Sequence, residues 1–323
     1  MESSNKTHKD TEINISKDAL EELLMHSSNE IKRQRRERIF GRVLKISIVL
    51  LALGATYFTG GKLNQTQADA SSPHIGYVEI YGPIMADQQA SSDLLIPAIT
   101  KAFDSPLNKA VVLRINSPGG SPVQANLIYK EILRLKALNP DKKIYASIED
   151  LGASAAYFIA AATDKIFVDS TSMVGSIGVI SSSFGYSEAM KKVGIERRVL
   201  TAGSHKAMFD PYLPQDQVVI DHFQNMLDKI HVVFIDAVKA GRKGKLDTSN
   251  EDIFSGLVWS GNQAVANGIA DEIGSIYSIS RKTVHKINIV NYTAKPDYMR
   301  QLSRSIRSQT KLLISEMVSP TLM

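Results

Sequence analysis

The feature that most constrains this 323-residue chain is the regular alternation of short apolar runs with helical segments that begins at His74. The run KAVVLRIN, residues 109–116, is rich in β-branched side chains and is typical of a strand buried on both faces of a parallel sheet. The next segment, residues 121–139, has the apolar spacing of a helix, and KIYASIE, residues 143–149, is another strand. This order predicts a layered α/β domain over residues 74–295.

A second feature is an uncharged apolar stretch, ISIVLLALGATYFTGG, at residues 46–61. With Val43, Leu44 and a snorkelling Lys45 it approaches the roughly 20 residues that a bilayer requires, so residues 43–61 are predicted to form a transmembrane helix. From Lys32 to Lys45 the chain carries seven basic residues against the single acid Glu37. By the positive-inside rule, residues 1–42 are expected in the cytoplasm and the large C-terminal part across the membrane. A buried soluble helix and a cleaved leader ending near Ala70 are the alternatives.

The remaining segments are polar or basic. Residues 62–73 are expected to be a flexible linker, and residues 296–323 a basic amphipathic tail. The net charge of +5 comes from the basic run before the apolar stretch, which does not indicate a nucleic-acid-binding body. The chain has no cysteine and its seven histidines show no metal-ligand spacing, so no metal and no cofactor is expected.

The motif LRINSPGGS, residues 113–121, ends a predicted strand and opens a predicted helix. Two glycines at this point let the backbone turn tightly and leave amide groups unshielded, and such amides can donate to a developing oxyanion. The alternative is a plain strand-to-helix turn in which Ser121 caps the helix.

A similar turn in EDLGASAAYFIAAATDKIF, residues 149–167, places Ser154 at the start of a helix of small residues. A serine in this position is either an ordinary N-cap or a nucleophile, because the helix dipole favours an alkoxide and the next amide can serve the oxyanion. A nucleophilic serine needs a base. The adjacent His205 and Lys206 in LTAGSHKAMFDPYLP, residues 200–214, are candidates, and residue chemistry alone leaves the choice open.

Taken together, these motifs resemble the signal peptide peptidases of the SppA type, which are membrane-anchored serine proteases with a Ser-Lys dyad and a ClpP/crotonase-like fold of repeated ββα units. The resemblance runs over residues 75–280 through INSPGGS, DLGASAAYFIAAATDKI, GSIGVI, SHKAMFDPY and SGLVWSGNQAVANGIADEIGS.

The resemblance implies a role for each matching residue. Ser154 is the implied nucleophile and Lys206 the implied base, while the amides of Gly120 and Ala155 are the implied oxyanion hole. Ser176, in VGSIGV, is the implied hydrogen-bond partner of the lysine. The family commonly has Gly-Gly after the nucleophile where this chain has Ala155-Ala156, a change that keeps the amides but reduces the room near the acyl group.

Together with the predicted membrane span, the resemblance implies a single-pass endopeptidase of the bacterial inner membrane that cleaves remnant signal peptides or other membrane-derived peptides. The N-terminus is expected in the cytoplasm, the catalytic domain in the periplasm or outside the cell, and the resemblance implies a homo-oligomer. A crotonase-like acyl-CoA enzyme and an inactive membrane scaffold of the same fold are the alternative hypotheses.

Overall fold

The body of the chain is built on a mostly parallel sheet, seen in a computed structural model that describes residues 36–37, 40–41, 43–51, 69–247 and 249–294. The chain divides into two units, residues 1–67 and 68–323, and the sheet belongs to the second. The strands described are β1 His74–Tyr81, β2 Asn108–Ser117, β3 Lys143–Ala153, β4 Lys165–Val168, β5 Met173–Gly175, β6 Val258–Ser260, β7 Glu272–Ile273 and β8 Ile289–Asn291.

The helices alternate with these strands in the first half of the unit. They are α1 Ser92–Asp104, α2 Pro122–Leu138, α3 Ala155–Ala160, α4 Ser187–Lys192, α5 Gln217–Gly241, α6 Gly261–Ala266 and α7 Ile276–Val284, with a 3₁₀ turn at Glu251–Phe254. The prediction of an α/β fold is confirmed. The tail at 296–323 lies outside the described residues, as do most of the N-terminal segment 1–42 and residues 62–68 of the linker.

The predicted transmembrane helix lies only partly within the described residues. Residues 43–51 are helical, and residues 52–61 are not described. Within the portion of the chain that is described, no helix combines the length and the apolar character needed to cross a bilayer.

The sheet has the order β6-β5-β3-β2-β1-β8, and β4 pairs with both β3 and β7. All pairings are parallel except that of β5 with β6. In β2 the residues from Ala110 to Leu113 are all buried, as expected for a central strand covered on both faces. Two short strands, β4 and β5, follow α3, and both strands pair with β3.

Strand β3 changes its neighbour along its length, and this change positions the site. Its first half pairs with β4 from Tyr145 to Ile148, and its last three residues pair with β5. Against β2, the register moves from Ile115–Ile148 to Ser117–Gly152, so β3 carries two extra residues between those pairs. A bulge of this kind bends the strand and redirects the residues after it. The end of β3 is thereby placed beside Gly175.

Helix α3 lies at the centre of the core, and all six of its residues are buried. Its sequence, AAYFIA, is suited to this place because the alanines allow neighbouring elements to approach closely. A Cβ atom on Gly241, the last residue of α5, would lie 1.8 Å from the carbonyl oxygen of Ala161. Only glycine therefore permits α5 to end against the residue immediately after α3.

Candidate active site

Ser154 occupies the N-cap position of α3 but does not act as a cap. Its side chain makes no hydrogen bond to the first turn, and its backbone has φ 54° and ψ −125°, a conformation that is strained for a residue with a Cβ atom. The amide of Ser154 donates to the carbonyl of Gly175 at 2.8 Å, and its carbonyl accepts from the amide of Phe158 at 3.0 Å. The ordinary N-cap interpretation is therefore wrong for this hydroxyl, which makes no capping hydrogen bond to the helix that it precedes.

The Gly-Gly pair of NSPGGS packs directly against this serine. A Cβ atom on Gly119 would lie 2.8 Å from the Cβ atom of Ser154 and 2.8 Å from the amide nitrogen of Ala155. Gly120 has φ 152°, and a Cβ atom there would lie 2.4 Å from the carbonyl oxygen of Ile84. The loop can reach the serine only because both positions lack side chains.

The amides of Gly120 and Ala155 are available to a ligand, since neither donates a hydrogen bond to any of the described residues. The loop that carries Gly120 is held by its neighbours: the amide of Ile84 donates to the Gly119 carbonyl at 2.9 Å, and the amide of Ser121 donates to Ile84 at 2.8 Å. Ser121 also caps α2 by accepting from the amide of Gln124. The cap interpretation of Ser121 is thus confirmed, and it coexists with two amides, of Gly120 and Ala155, that have no acceptor among the described residues.

Ser176 lies next to the residue that anchors Ser154. Gly175 pairs with Ala153, and Ser176 comes next with φ 50°, so the two serines are two of the three non-glycine residues with positive φ in the described part of the chain. The Ser176 amide donates to the carbonyl of Leu257 at 2.7 Å, and its hydroxyl makes no hydrogen bond to the described residues. Strain at two adjacent points persists only where the surroundings enforce it, which is characteristic of active sites.

An apolar cavity of about 450 Å³ opens beside Ser154. Its wall includes both Gly120 and Ala155 and continues over α2, α5 and the loop after β5; the other lining residues are Pro122, Val123, Ala125, Asn126, Phe158, Gly178, Val179, Ile180, Ile230, Val233 and Phe234. The hydroxyl and the two free amides therefore border one space, large enough to receive a substrate side chain.

Lys206 and His205, the two candidate bases, lie away from Ser154 and the two free amides. Both are exposed, and neither lines the cavity of Ser154. Lys206 borders a shallow surface depression with Arg197 and Asp210, and His205 borders another with Phe184 and Met208. The described part of a single chain thus brings together Ser154, Gly120, Ala155 and Ser176 but does not place the two candidate bases with them.

The two-residue bulge in β3 is supported by residues that sequence reasoning did not identify. The hydroxyl of Ser172, which is fully buried, donates to the carbonyl of Glu149 and accepts from the amide of Asp169 at 2.9 Å. The Asp150 carboxylate accepts from the side-chain amide of Asn116 at 2.8 Å. The sequence near Ser172 or Asn116 does not indicate these contacts with the bulge. Each contact joins two segments that are about 20 to 35 positions apart along the chain.

A charged cluster contacts the same bulge through Glu149. Arg114 donates to the carboxylate of Glu149 at 2.6 Å and contacts Glu79 at 3.4 Å. The hydroxyl of Tyr81 also donates to Glu149, and both burial and this bond raise the pKa of the tyrosine. Within the described residues, no three Asp, Glu or His side chains converge as a metal site would require.

Comparison with known proteins finds similarity to one family of peptidases. Residues 136–289 match the model of "Peptidase family S49", and the match includes Ser154, Ser176 and Lys206. The chain is 29% identical over 228 residues to Protease 4 of Haemophilus influenzae, covering 69% of this chain and 36% of that protein. It is 31% identical over 192 residues to the putative signal peptide peptidase SppA of Enterococcus faecium, covering 59% and 55%.

A further relative carries a different name. The chain is 44% identical over 219 residues to a protein of Brucella abortus named Na(+)/H(+) antiporter NhaA, covering 66% of this chain but only 30% of that protein. The matched stretch is less than a third of that protein, so the name is not carried over to this chain. In all three relatives the chain spans less than two thirds of the relative's length.

Proposed function

We propose that the chain is a serine endopeptidase of the S49 type, in which Ser154 is the nucleophile and Lys206 the general base; the match to the S49 family model and the similarity to Protease 4 and SppA support this proposal. The observation that carries the proposal is the state of Ser154. Its hydroxyl is free of the helix, its backbone is strained, and it borders an apolar cavity together with two amides that have no acceptor among the described residues. A hydroxyl in such surroundings is prepared to attack a carbonyl group.

In the proposed mechanism, neutral Lys206 accepts the proton of Ser154 while the serine oxygen attacks the peptide carbonyl. The amides of Gly120 and Ala155 donate to the oxyanion of the tetrahedral intermediate, and each such donor lowers the barrier by about 3 kcal/mol. The intermediate collapses to an acyl-enzyme as the amine leaves with a proton from Lys206. Water, activated by the same lysine, then hydrolyses the ester. Replacement of Gly-Gly by Ala155-Ala156 leaves both backbone donors in place.

We further propose that the catalytic lysine is enclosed by assembly into a homo-oligomer. A lysine acts as a base only where little water stabilises its charge, yet no residue from 180 to 218 is buried in the single chain. This segment also exposes large apolar side chains, among them Phe184, Val193 and Leu200. An exposed apolar surface of this extent is typical of a protein interface. Contact with further copies would bury the segment and complete the dyad, either within one chain or between neighbours.

The substrates proposed are peptides of apolar sequence, such as remnant signal peptides. The apolar wall of the cavity supports this class, because it can bury an aliphatic or aromatic side chain next to the scissile carbonyl. The fold is proposed to be of the ClpP/crotonase type. The branching of the sheet at β3, where one strand pairs with β4 and then with β5, supports this assignment.

We propose that residues 43–61 anchor the chain in the bacterial inner membrane with the peptidase unit on the far side from the cytoplasm. The basic residues before the apolar stretch support this orientation. Fusion of a reporter after residue 280 tests it: a reporter that works only in the periplasm is expected to be active. Activity of a cytoplasm-only reporter at the same position would reverse the orientation.

The nucleophile is tested by labelling with a fluorophosphonate, which forms a covalent bond to an activated serine. Wild type and His205→Ala are expected to be labelled, whereas Ser154→Ala and Lys206→Ala are not. Equal labelling of all four proteins would disprove the dyad. Loss of labelling in His205→Ala with normal labelling of Lys206→Ala would assign the base to the histidine.

Mixing the two inactive variants then locates the base. If Lys206 acts on Ser154 of a neighbouring copy, co-assembled Ser154→Ala and Lys206→Ala chains regain peptide cleavage, because some interfaces hold one intact pair. If the dyad forms within one chain, the mixture stays inactive at every ratio.

A further inference from the structure

The cavity beside Ser154 contains one polar side chain that the proposed mechanism does not use. Apart from the serine itself, every other residue of the wall is glycine, alanine, proline or a larger apolar residue, and the exception is Asn126 on α2. The Asn126 carboxamide is half-buried and makes no hydrogen bond to any residue that the structure describes. Its neighbour Gln124 differs in this respect, because its side chain accepts from the amide of Ser92 at 2.7 Å.

An unpaired carboxamide has consequences once a substrate side chain fills the cavity. Water that solvates the amide is then displaced, and the lost hydrogen bonds reduce binding unless the substrate replaces them. A site with a polar group of this kind discriminates strongly against a ligand that lacks the matching group, whereas a purely apolar pocket distinguishes poorly between isosteric side chains. Asn126 therefore works either against binding or as an element of recognition, depending on the group that the substrate presents.

We propose that Asn126 determines specificity by hydrogen-bonding a polar group on the substrate side chain that enters the cavity. The preferred side chain combines apolar carbon, which the surrounding valine, isoleucine and phenylalanine residues bury, with a hydroxyl or amide that pairs with Asn126. Threonine is then favoured over valine, which has the same shape without a hydroxyl. This inference rests on the proposed peptidase function and narrows its substrate class.

The test uses two peptides that differ only at the residue before the scissile bond, threonine in one and valine in the other. The ratio of their kcat/KM values is measured for wild type, Asn126→Leu, Asn126→Ala and a control, Asn225→Leu, which changes an exposed asparagine on α5 outside the cavity. In both Asn126 variants the threonine-to-valine ratio is expected to fall about ten-fold, the worth of a hydrogen bond that only the threonine peptide makes. The control is expected to keep the wild-type ratio.

The inference is overturned if the ratio stays the same in the Asn126 variants, or if both peptides lose activity equally, as a structural or backbone-binding role would produce. Thermal unfolding of each variant confirms that the ratio is read from folded protein. Aldehydes of the same two peptides, used as competitors of fluorophosphonate labelling, give the same ratio from binding alone.

Failure of the proposed function is recognised separately in this experiment. Cleavage of either peptide that persists in Ser154→Ala refutes the nucleophile, whatever the ratio. A Ser154-dependent reaction with an unchanged ratio refutes only the role of Asn126.

Discussion

The surroundings of Ser154 and the segment that carries Lys206 are built in opposite ways. Ser154 lies between a buried strand end and a fully buried helix, with a bulge, two glycines and Gly175 packed around it. Lys206 lies in a stretch from 180 to 218 where no residue is buried. The described residues therefore complete the surroundings of Ser154 and the two free amides, whereas among them Lys206 stays exposed and outside the cavity of Ser154.

Helix α5 connects the two regions and shares the character of both. Its buried residues are Phe234, Ala237 and Val238 near the C-terminal end, with Val219 near the start. Beyond its end, Arg242 is fully buried and donates to the Gly268 carbonyl and to the carboxylate of Asp271. The C-terminal part of α5 is thus fixed to the core, and most of the N-terminal part extends into the exposed region.

The largest effect is expected on the unfolding free energy when Arg242, which fixes the end of α5 to the core, is replaced. Arg242→Leu removes the partner of a largely buried carboxylate, which typically costs about 3–5 kcal/mol of unfolding free energy. Chemical denaturation at pH 7 measures this loss. A cost near zero would show that Lys245, which contacts Asp271 at 2.7 Å, suffices alone.

The pH dependence of the same pair has a definite sign. Burial by itself would raise the pKa of Asp271, but the hydrogen bonds from Arg242 and Lys245 outweigh it and hold the pKa below its ordinary value. The pair therefore stabilises the fold above the ordinary carboxyl range, and this contribution is lost as the pH falls through the lowered pKa. The difference in unfolding free energy between wild type and Arg242→Leu is expected to shrink below about pH 4.

The second-largest effect is expected on kcat. It is tested by comparing Gly120, which lies beside Ser154, with Gly194, which lies in the exposed segment that carries Lys206. Gly120→Ala places a Cβ atom 2.4 Å from the carbonyl oxygen of Ile84 and displaces a proposed oxyanion donor, so kcat is expected to fall about 100-fold or more. Gly194 also has a positive φ, 73°, but has no atom within 4 Å of the position a Cβ would take. Gly194→Ala is expected to cost only the backbone strain, about 1–2 kcal/mol of stability. A severe loss there would instead show that the segment is packed in the assembly.

A smaller effect is expected from the hydroxyl that holds the bulge before Ser154. Ser172→Ala leaves the Glu149 carbonyl and the Asp169 amide without their partner, at a cost of about 1–3 kcal/mol. The rate of fluorophosphonate labelling is expected to fall as well, because the bulge directs the end of β3. Unchanged labelling in a destabilised variant would limit Ser172 to a structural role.

The smallest effect is expected in the exposed segment. Lys191 and Glu188 pair at 2.7 Å on α4, but their side chains are 62% and 76% exposed. Glu188→Ala should therefore change the unfolding free energy by less than about 0.5 kcal/mol, and high salt should abolish the difference. A change of several kcal/mol would instead place this pair in the proposed subunit contact.

Sequence reasoning identified the parts of the site whose signals are local. The Gly-Gly pair, the serine at the start of a small-residue helix and the alternation of strands and helices are all properties of neighbouring residues, and the structure brings Gly120, Ala155, Ser154 and Ser176 together. Ser172, Asn126 and Phe234 could not be assigned in this way, since their significance depends on segments distant along the chain.

By itself the sequence determined the α/β class and the position of Ser154 after a buried strand, because backbone sterics and apolar periodicity act over a few residues. Only the tertiary structure decided whether that serine caps its helix. The bulge in β3 and the contact with Gly175 force its backbone to φ 54°, and packing of α2 and α5 creates the cavity that its hydroxyl borders. These outcomes depend on long-range packing, which forces a local conformation that the residue would not adopt in isolation.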